Sequence, residues 1–145
     1  MLEIEQLSKT FNPNIRAVDG IDLQLNTGEI MALLGPNAAG KTTVMRILAT
    51  LAGFDAGKIS IAGFDLDRDP KSIRLSIGYV AQQTGVDFFL SGRENLHLQG
   101  RLYHMKTDDI FRRTTELADY FGFRKQLDRT VRTYSGGMRR KLDIA

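Results

Sequence analysis

The sequence predicts an α/β fold in three sections: an antiparallel β start, a β-α-β stretch around a glycine-rich loop, and a helical remainder. Three observations lead there. Leu2-Glu3-Ile4-Glu5-Gln6-Leu7 alternates apolar and polar residues, and Ile21-Asp22-Leu23-Gln24-Leu25 does the same, as half-exposed strands do. Ile30-Met31-Ala32-Leu33-Leu34 is a continuous apolar run ending at Gly35, the pattern of a strand covered on both faces in a parallel sheet. After Gln82 the strand patterns give way to helix signals.

Each element follows in order. Asn26-Thr27-Gly28-Glu29 is a turn signal before the apolar run. Gly40 to Leu51 reads as a helix with Val44, Ile47, Leu48 and Leu51 on one face. Lys58-Ile59-Ser60-Ile61 and Ile77-Gly78-Tyr79-Val80 read as further strands. Between them Asp69-Pro70 starts a helix, with Asp as cap and Pro in the first turn. Ser91-Gly92-Arg93-Glu94 is a capping box that opens a helix running to about Tyr103. Thr107-Asp108-Asp109 opens the next, with Ile110, Phe111, Thr114, Leu117, Ala118 and Phe121 at helical spacing. Ser135 caps a last helix still running at Ala145, without Gly, Pro or a polar tail to close it. The expected organisation is residues 1–84 for the β part with the loop, and residues 85–145 for the helical part. The chain is expected to be cut rather than finished.

Composition narrows the function classes. The chain of 145 residues is 42% hydrophobic and 26% charged, ordinary for one soluble globular domain. A net charge of +3, spread along the chain, gives no basic patch to argue for nucleic acid. Without cysteine there are no disulfides and no cysteine-based zinc sites. His97 and His104 have no carboxylate or cysteine cluster beside them, so no metal role is assigned. Met1-Leu2-Glu3-Ile4-Glu5 is not a leader, and no apolar run approaches the roughly 18 residues that span a membrane. An intracellular protein, or one docked on a larger assembly, is expected.

Gly35-Pro36-Asn37-Ala38-Ala39-Gly40-Lys41-Thr42-Thr43 carries the chemistry, fitting G-x-x-x-x-G-K-[ST]. A buried strand delivers the chain to a tight loop whose successive N–H groups point inward at phosphate oxygens. Gly35 and Gly40 allow the backbone geometry, and the helix beginning near Gly40 adds its N-terminal dipole. Lys41 reaches the β- and γ-phosphates, the Thr42 hydroxyl ligates Mg²⁺, and Thr43 is placed for the α-phosphate. The expected ligand is ATP with Mg²⁺.

From here the chain resembles the ATP-binding subunit of an ABC (ATP-binding cassette) transporter, over its whole length. The loop is close to that family's G-P-N-G-A-G-K-T-T. Phe11 lies ten residues before the Ile21 strand, where the family places an aromatic that stacks on adenine. Ile77-Gly78-Tyr79-Val80-Ala81-Gln82 resembles its Q-loop, and Tyr134-Ser135-Gly136-Gly137-Met138 its L-S-G-G-Q signature. Leu90-Ser91-Gly92-Arg93-Glu94-Asn95-Leu96 is similar to the daunorubicin-type drug-export branch. The resemblance implies an incomplete, RecA-like P-loop NTPase core with an antiparallel β subdomain and a helical subdomain. It implies that Gln82 touches Mg²⁺ or the attacking water. It also implies that Ser135, Gly136, Gly137 and Met138 close over the nucleotide of a second ATP-binding subunit, in a head-to-tail dimer. A separate transmembrane permease subunit is implied, with this chain cytoplasmic and peripheral on the inner face of the membrane. The exposed Phe88 and Phe89 between Gln82 and Leu90 would meet that subunit.

Departures from the family pattern matter. Ala38 stands where the family has Gly; if the position needs φ > 0, Ala costs about 1 kcal/mol. Met138 stands where the family has Gln. The family's Walker B carboxylates and switch His follow the signature, and residues 1–145 hold none of the three, so the general base is missing from this chain. Two rivals therefore stand beside the transporter: a non-catalytic nucleotide-binding module, and a soluble family member acting on ribosome or DNA. In the family's sheet, two strands lie between those matching Ile30–Leu34 and Ile77–Val80. The expectation is a gap between these two, an uncovered apolar face on the helix from Val44 to Leu51, and an isolated chain that is molten, aggregated or swapped with a partner.

Overall fold

The computed structural model describes residues 1–12 and 14–145. They form two compact units, Met1–Tyr79 and Val80–Ala145.

The first unit is built on a four-stranded antiparallel sheet. Strands β1 (Leu2–Asn12) and β2 (Ile15–Leu25) pair as Leu2 with Leu25, Ile4 with Leu23 and Leu7 with Ile21. Strand β3 (Ala56–Ile61) runs along the other edge of β1, and the short β4 (Phe64–Asp65) follows, giving the order β2-β1-β3-β4. The register of β1 shifts between Ile4 and Leu7, where Gln6 takes φ +48° and its N–H donates to Asp22 Oδ1 at 2.7 Å. In a regular strand, residues three apart point to opposite faces. The bulge removes one step, so Ile4 and Leu7 both enter the core.

Helix α1 (Lys41–Leu48) and helix α2 (Pro70–Ser76) complete that core. Val44 and Ile47 of α1 and Ile73 of α2 join Ile4, Leu7, Val18, Ile59 and Leu66. Each such full burial contributes roughly 1.5–3 kcal/mol. The expectation of an uncovered helix face is thereby corrected: the antiparallel strands supply the cover. Helix α1 also stops three residues earlier than expected. Thr50 turns left-handed at φ +60°, its N–H donates to Ile47 O, and the Leu51 N–H donates to Arg46 O. This closes the helix end by a Schellman motif and leaves Leu51 exposed. Asp69 caps α2 as expected, accepting from the Ser72 N–H at 3.1 Å.

Two expected strands do not form. Neither Ile30–Leu34 nor Ile77–Val80 enters the sheet. Ile30 is 100% and Leu34 86% exposed. A parallel strand is defined by neighbours that pair its backbone, and no described residues pair with either segment in a sheet. The expected gap between two strands does not arise as such, because neither segment forms a strand.

The second unit is helical: α3 (Gly92–Leu102), α4 (Thr107–Tyr120) and α5 (Gly136–Ile144), with single 3-10 turns at Arg124–Gln126 and Val131–Thr133. Its core gathers Leu96, Ala118, Phe123, Leu127, Val131, Tyr134 and Leu142. The capping box of α3 forms in full: Ser91 Oγ accepts from the Glu94 N–H and Glu94 accepts from the Ser91 N–H. Ile110, Thr114 and Ala118 bury the inner face of α4. Phe111 is exposed instead, its ring edge-on to His97 at 4.7 Å. Among the described residues no helix is long and apolar enough to cross a membrane.

Candidate nucleotide site

The loop before α1 owes its shape to a close approach. Gly40 takes φ +80° at the start of α1, and a Cβ there would lie 2.1 Å from Ala17 O on β2. Only glycine lets the loop rest on the hairpin at that distance. Ala38, two residues earlier, also takes a left-handed conformation, at φ +65°. The Ala39 N–H donates to Pro36 O at 3.3 Å, tightening the turn.

Helix α1 begins without a side-chain cap and without an acidic residue in its first turn. Its first N–H groups and the positive end of its dipole are thus left for an anion. The Lys41 ammonium folds back over the loop and donates to Gly35 O at 2.8 Å and Pro36 O at 2.5 Å. Thr42 is exposed and Thr43 half-buried just behind it. Backbone donors and a cation meet at one helix end, and two hydroxyl-bearing residues lie in its first turn, the residue types that a phosphate chain with a hard divalent cation requires. A cleft of about 370 Å³ opens between the loop and β2, lined among others by Arg16, Asp19, Leu33, Ala38 and Lys41. Arg16 and Asp19 pair at 2.8 Å on its rim.

Phe11 stands near the end of β1, 60% exposed, and does not line that cleft. Asp55 fixes the strand beneath it. Its carboxylate accepts from Lys9 Nζ at 2.8 Å and from the Thr10 N–H at 2.6 Å. These two donors, Lys9 first, hold its pKa below the usual carboxylate range. The Lys9 ammonium lies 5.6 Å from the Phe11 ring centre, so the ring already has a cation at one face.

The remaining candidates belong to the second unit. Ser135 caps α5, its Oγ accepting from the Met138 N–H at 3.3 Å. Gly136 and Gly137 stand in open space, and Met138 is half-buried against the helical core. Tyr134 sets the entry to this helix: its hydroxyl donates to Gln126 O at 2.6 Å, and burial raises its pKa. Gly92 permits that packing, since a Cβ there would lie 2.4 Å from the Tyr134 oxygen. Gln82 is exposed. On one flank Arg140 Nη1 donates to Ala81 O at 2.7 Å; on the other the Gly85 N–H donates to Asp143 Oδ1 at 2.9 Å. Asn95 is buried and clasps the next stretch. It accepts from the Asp87 N–H and donates to Asp87 O and Ser91 O, all within 2.9 Å. Phe88 and Phe89 are exposed, as expected, and Arg139 lies over the Phe88 ring at 5.1 Å. Sequence reasoning missed Arg16, Asp19, Asn95, Arg140 and Asp143. The first two lie in residues 15–20, which carry no clear apolar alternation, so no local signal pointed to them.

A phosphate loop seated on a helix N-terminus, beside an antiparallel sheet and with a helical second unit, defines an α/β P-loop NTPase. The ABC transporter family description matches residues 18–145, and the chain belongs to that family. It is 48% identical over 130 residues to the daunorubicin resistance ATP-binding protein DrrA2 of Streptomyces coeruleorubidus, covering 90% of this chain and 40% of that protein. It is 44% identical over 144 residues to the daunorubicin/doxorubicin resistance ATP-binding protein DrrA of Streptomyces peucetius, covering 99% and 43%. The chain thus spans well under half the length of these curated relatives. Among solved structures, the ATP-binding cassette MJ0796 in a dimeric post-hydrolysis state with ADP and Pi superposes with a TM-score of 0.83. That match has 22% identity and covers 99% of this chain and 67% of that one.

Proposed function

We propose that this chain is the nucleotide-grasping portion of an ATP-binding subunit of a drug-export ABC transporter. The observation that carries the reading is the loop Gly35–Thr43, held on the hairpin by Gly40 and presenting Lys41 at an uncapped helix start. Phosphate oxygens take the place of the Gly35 and Pro36 carbonyls as partners of the Lys41 ammonium. The Thr42 hydroxyl ligates Mg²⁺, the Thr43 hydroxyl reaches the α-phosphate, and Phe11 offers its open face to the base. The family resemblance assigns Gln82 to the metal or the attacking water. Ser135, Gly136, Gly137 and Met138 form the helix start offered to the nucleotide of a second ATP-binding subunit, head to tail. Met138 serves there by packing the helix start onto its own core rather than by a polar contact. The stretch from Gln82 to Leu90 meets a transmembrane permease subunit, which keeps the protein cytoplasmic and peripheral on the inner face. Names of drug-resistance proteins among the relatives support the export direction.

Nucleotide binding is the measurement that tests the phosphate loop directly. Lys41→Ala is expected to weaken MgATP binding by roughly tenfold or more, the scale of a lost charge-assisted contact. Its fold is expected to stay intact, because the loop is shaped by backbone packing. Calorimetric titration of both proteins checks this; equal affinities remove the assignment.

A further inference from the structure

Two side chains on one turn of α5 hold both flanks of Gln82. Arg140 Nη1 donates to Ala81 O at 2.7 Å, and Asp143 Oδ1 accepts from the Gly85 N–H at 2.9 Å. The two side chains also pair with each other, Nη1 to Oδ2, at 3.1 Å. Asp143 is largely buried, its side chain 10% exposed, so its contacts are screened little by water. Next to Arg140, Arg139 donates to Arg132 O at 3.2 Å and lies over the Phe88 ring. The same helix begins at Ser135, with Gly136 and Gly137 exposed at its N-terminus. A short helix is stiff along its axis, so a displacement of Ala81 or Gly85 is carried to Gly136 and Gly137 through these contacts.

We propose that Arg140 and Asp143 are positioning residues that lock the Gln82 loop to the glycine-rich start of α5, so that each sets the orientation of the other. This rests on the functional reading above, in which Gln82 serves the chain's own nucleotide and Ser135–Gly137 a partner's. The lock makes engagement of one nucleotide depend on the state of the loop at the other. It predicts coupling without any contact of Arg140 or Asp143 with ATP.

The test uses a nitroxide on Gln83→Cys, an exposed position in a chain with no cysteine of its own. Asp143→Ala and Arg140→Ala are expected to raise the label's mobility and to weaken MgATP-dependent self-association about tenfold, within the usual range of coupling between sites. MgATP affinity at the phosphate loop stays unchanged. Asp143→Asn keeps an acceptor for the Gly85 N–H and is expected to hold the label nearly as still as the native residue does. A label equally immobile in Asp143→Ala, or equally mobile in Asp143→Asn and Asp143→Ala, overturns the lock. Failure of the unsubstituted protein to bind MgATP would instead remove the functional reading. The label's mobility decides the lock in either case.

Discussion

Ala38 holds a left-handed backbone position at φ +65°, exposed, in the middle of the phosphate loop. An L-residue with a Cβ is strained there, and no packing of its methyl into a core offsets the strain. Ala38→Gly is therefore expected to stabilise the protein by up to about 1 kcal/mol, less the extra unfolded-state entropy of glycine. Urea unfolding of the two proteins measures it, and a lower midpoint for the glycine variant would refute the strain. The need for positive φ was legible in the sequence only through the family's glycine at this place. The complementary constraint at Gly40 was legible as a motif, but its cause was not. The backbone oxygen that forbids a side chain belongs to Ala17, in a stretch that carries no apolar alternation strong enough to read as strand.

Helix starts were read from the sequence better than helix ends. Asp69, Ser91 and Ser135 all cap as their side-chain chemistry requires, because an N-cap is a local bond within three residues. The ends of α1, α3 and α4 share one geometry, with left-handed residues Thr50, His104 and Gly122 and the paired bonds of a Schellman motif. Glycine marks only the last of them, so the apolar spacing of α1 runs on past its end at Leu48. Strands failed for a different reason. The run Ile30–Leu34 has the composition of a buried strand, yet composition cannot supply the neighbour that pairs it. Between elements, Asn95 does what a strand partner does elsewhere: it satisfies the backbone of Asp87 from the side of α3. Asn95→Leu leaves that N–H and C=O without their partner and is expected to cost about 1–3 kcal/mol. Limited proteolysis should then cut near Phe88 and Phe89 faster than in the native protein, and an unchanged digestion pattern would show that other contacts suffice.

At the scale of the molecule, the contiguous part of the site was legible and the dispersed part was not. Nine consecutive residues spell the phosphate loop, whereas the contacts of Arg140 and Asp143 with Ala81 and Gly85 span nearly sixty residues and carry no periodic signal. Phe88 and Phe89 lie between these regimes: their apolar character is local, while the contacts of Asn95 with Asp87 and of Arg139 with the Phe88 ring come from distant residues. If the stretch they occupy meets a membrane subunit, a photocrosslinker at Phe89, 83% exposed, is expected to capture a co-expressed permease. One at Tyr103, 78% exposed on the end of α3, should not. Capture from Tyr103 alone would move the interface. The seat of the loop on β2 also orders events in time. Ala17, which presses on Gly40, and the core residues Val44 and Ile47 all lie within the first half of the chain, so the parts that shape the grip on phosphate precede the signature helix. The N-terminal part of a chain can fold first during synthesis. A ribosome releasing this polypeptide therefore hands over a shaped anion cradle while the signature helix is still unmade.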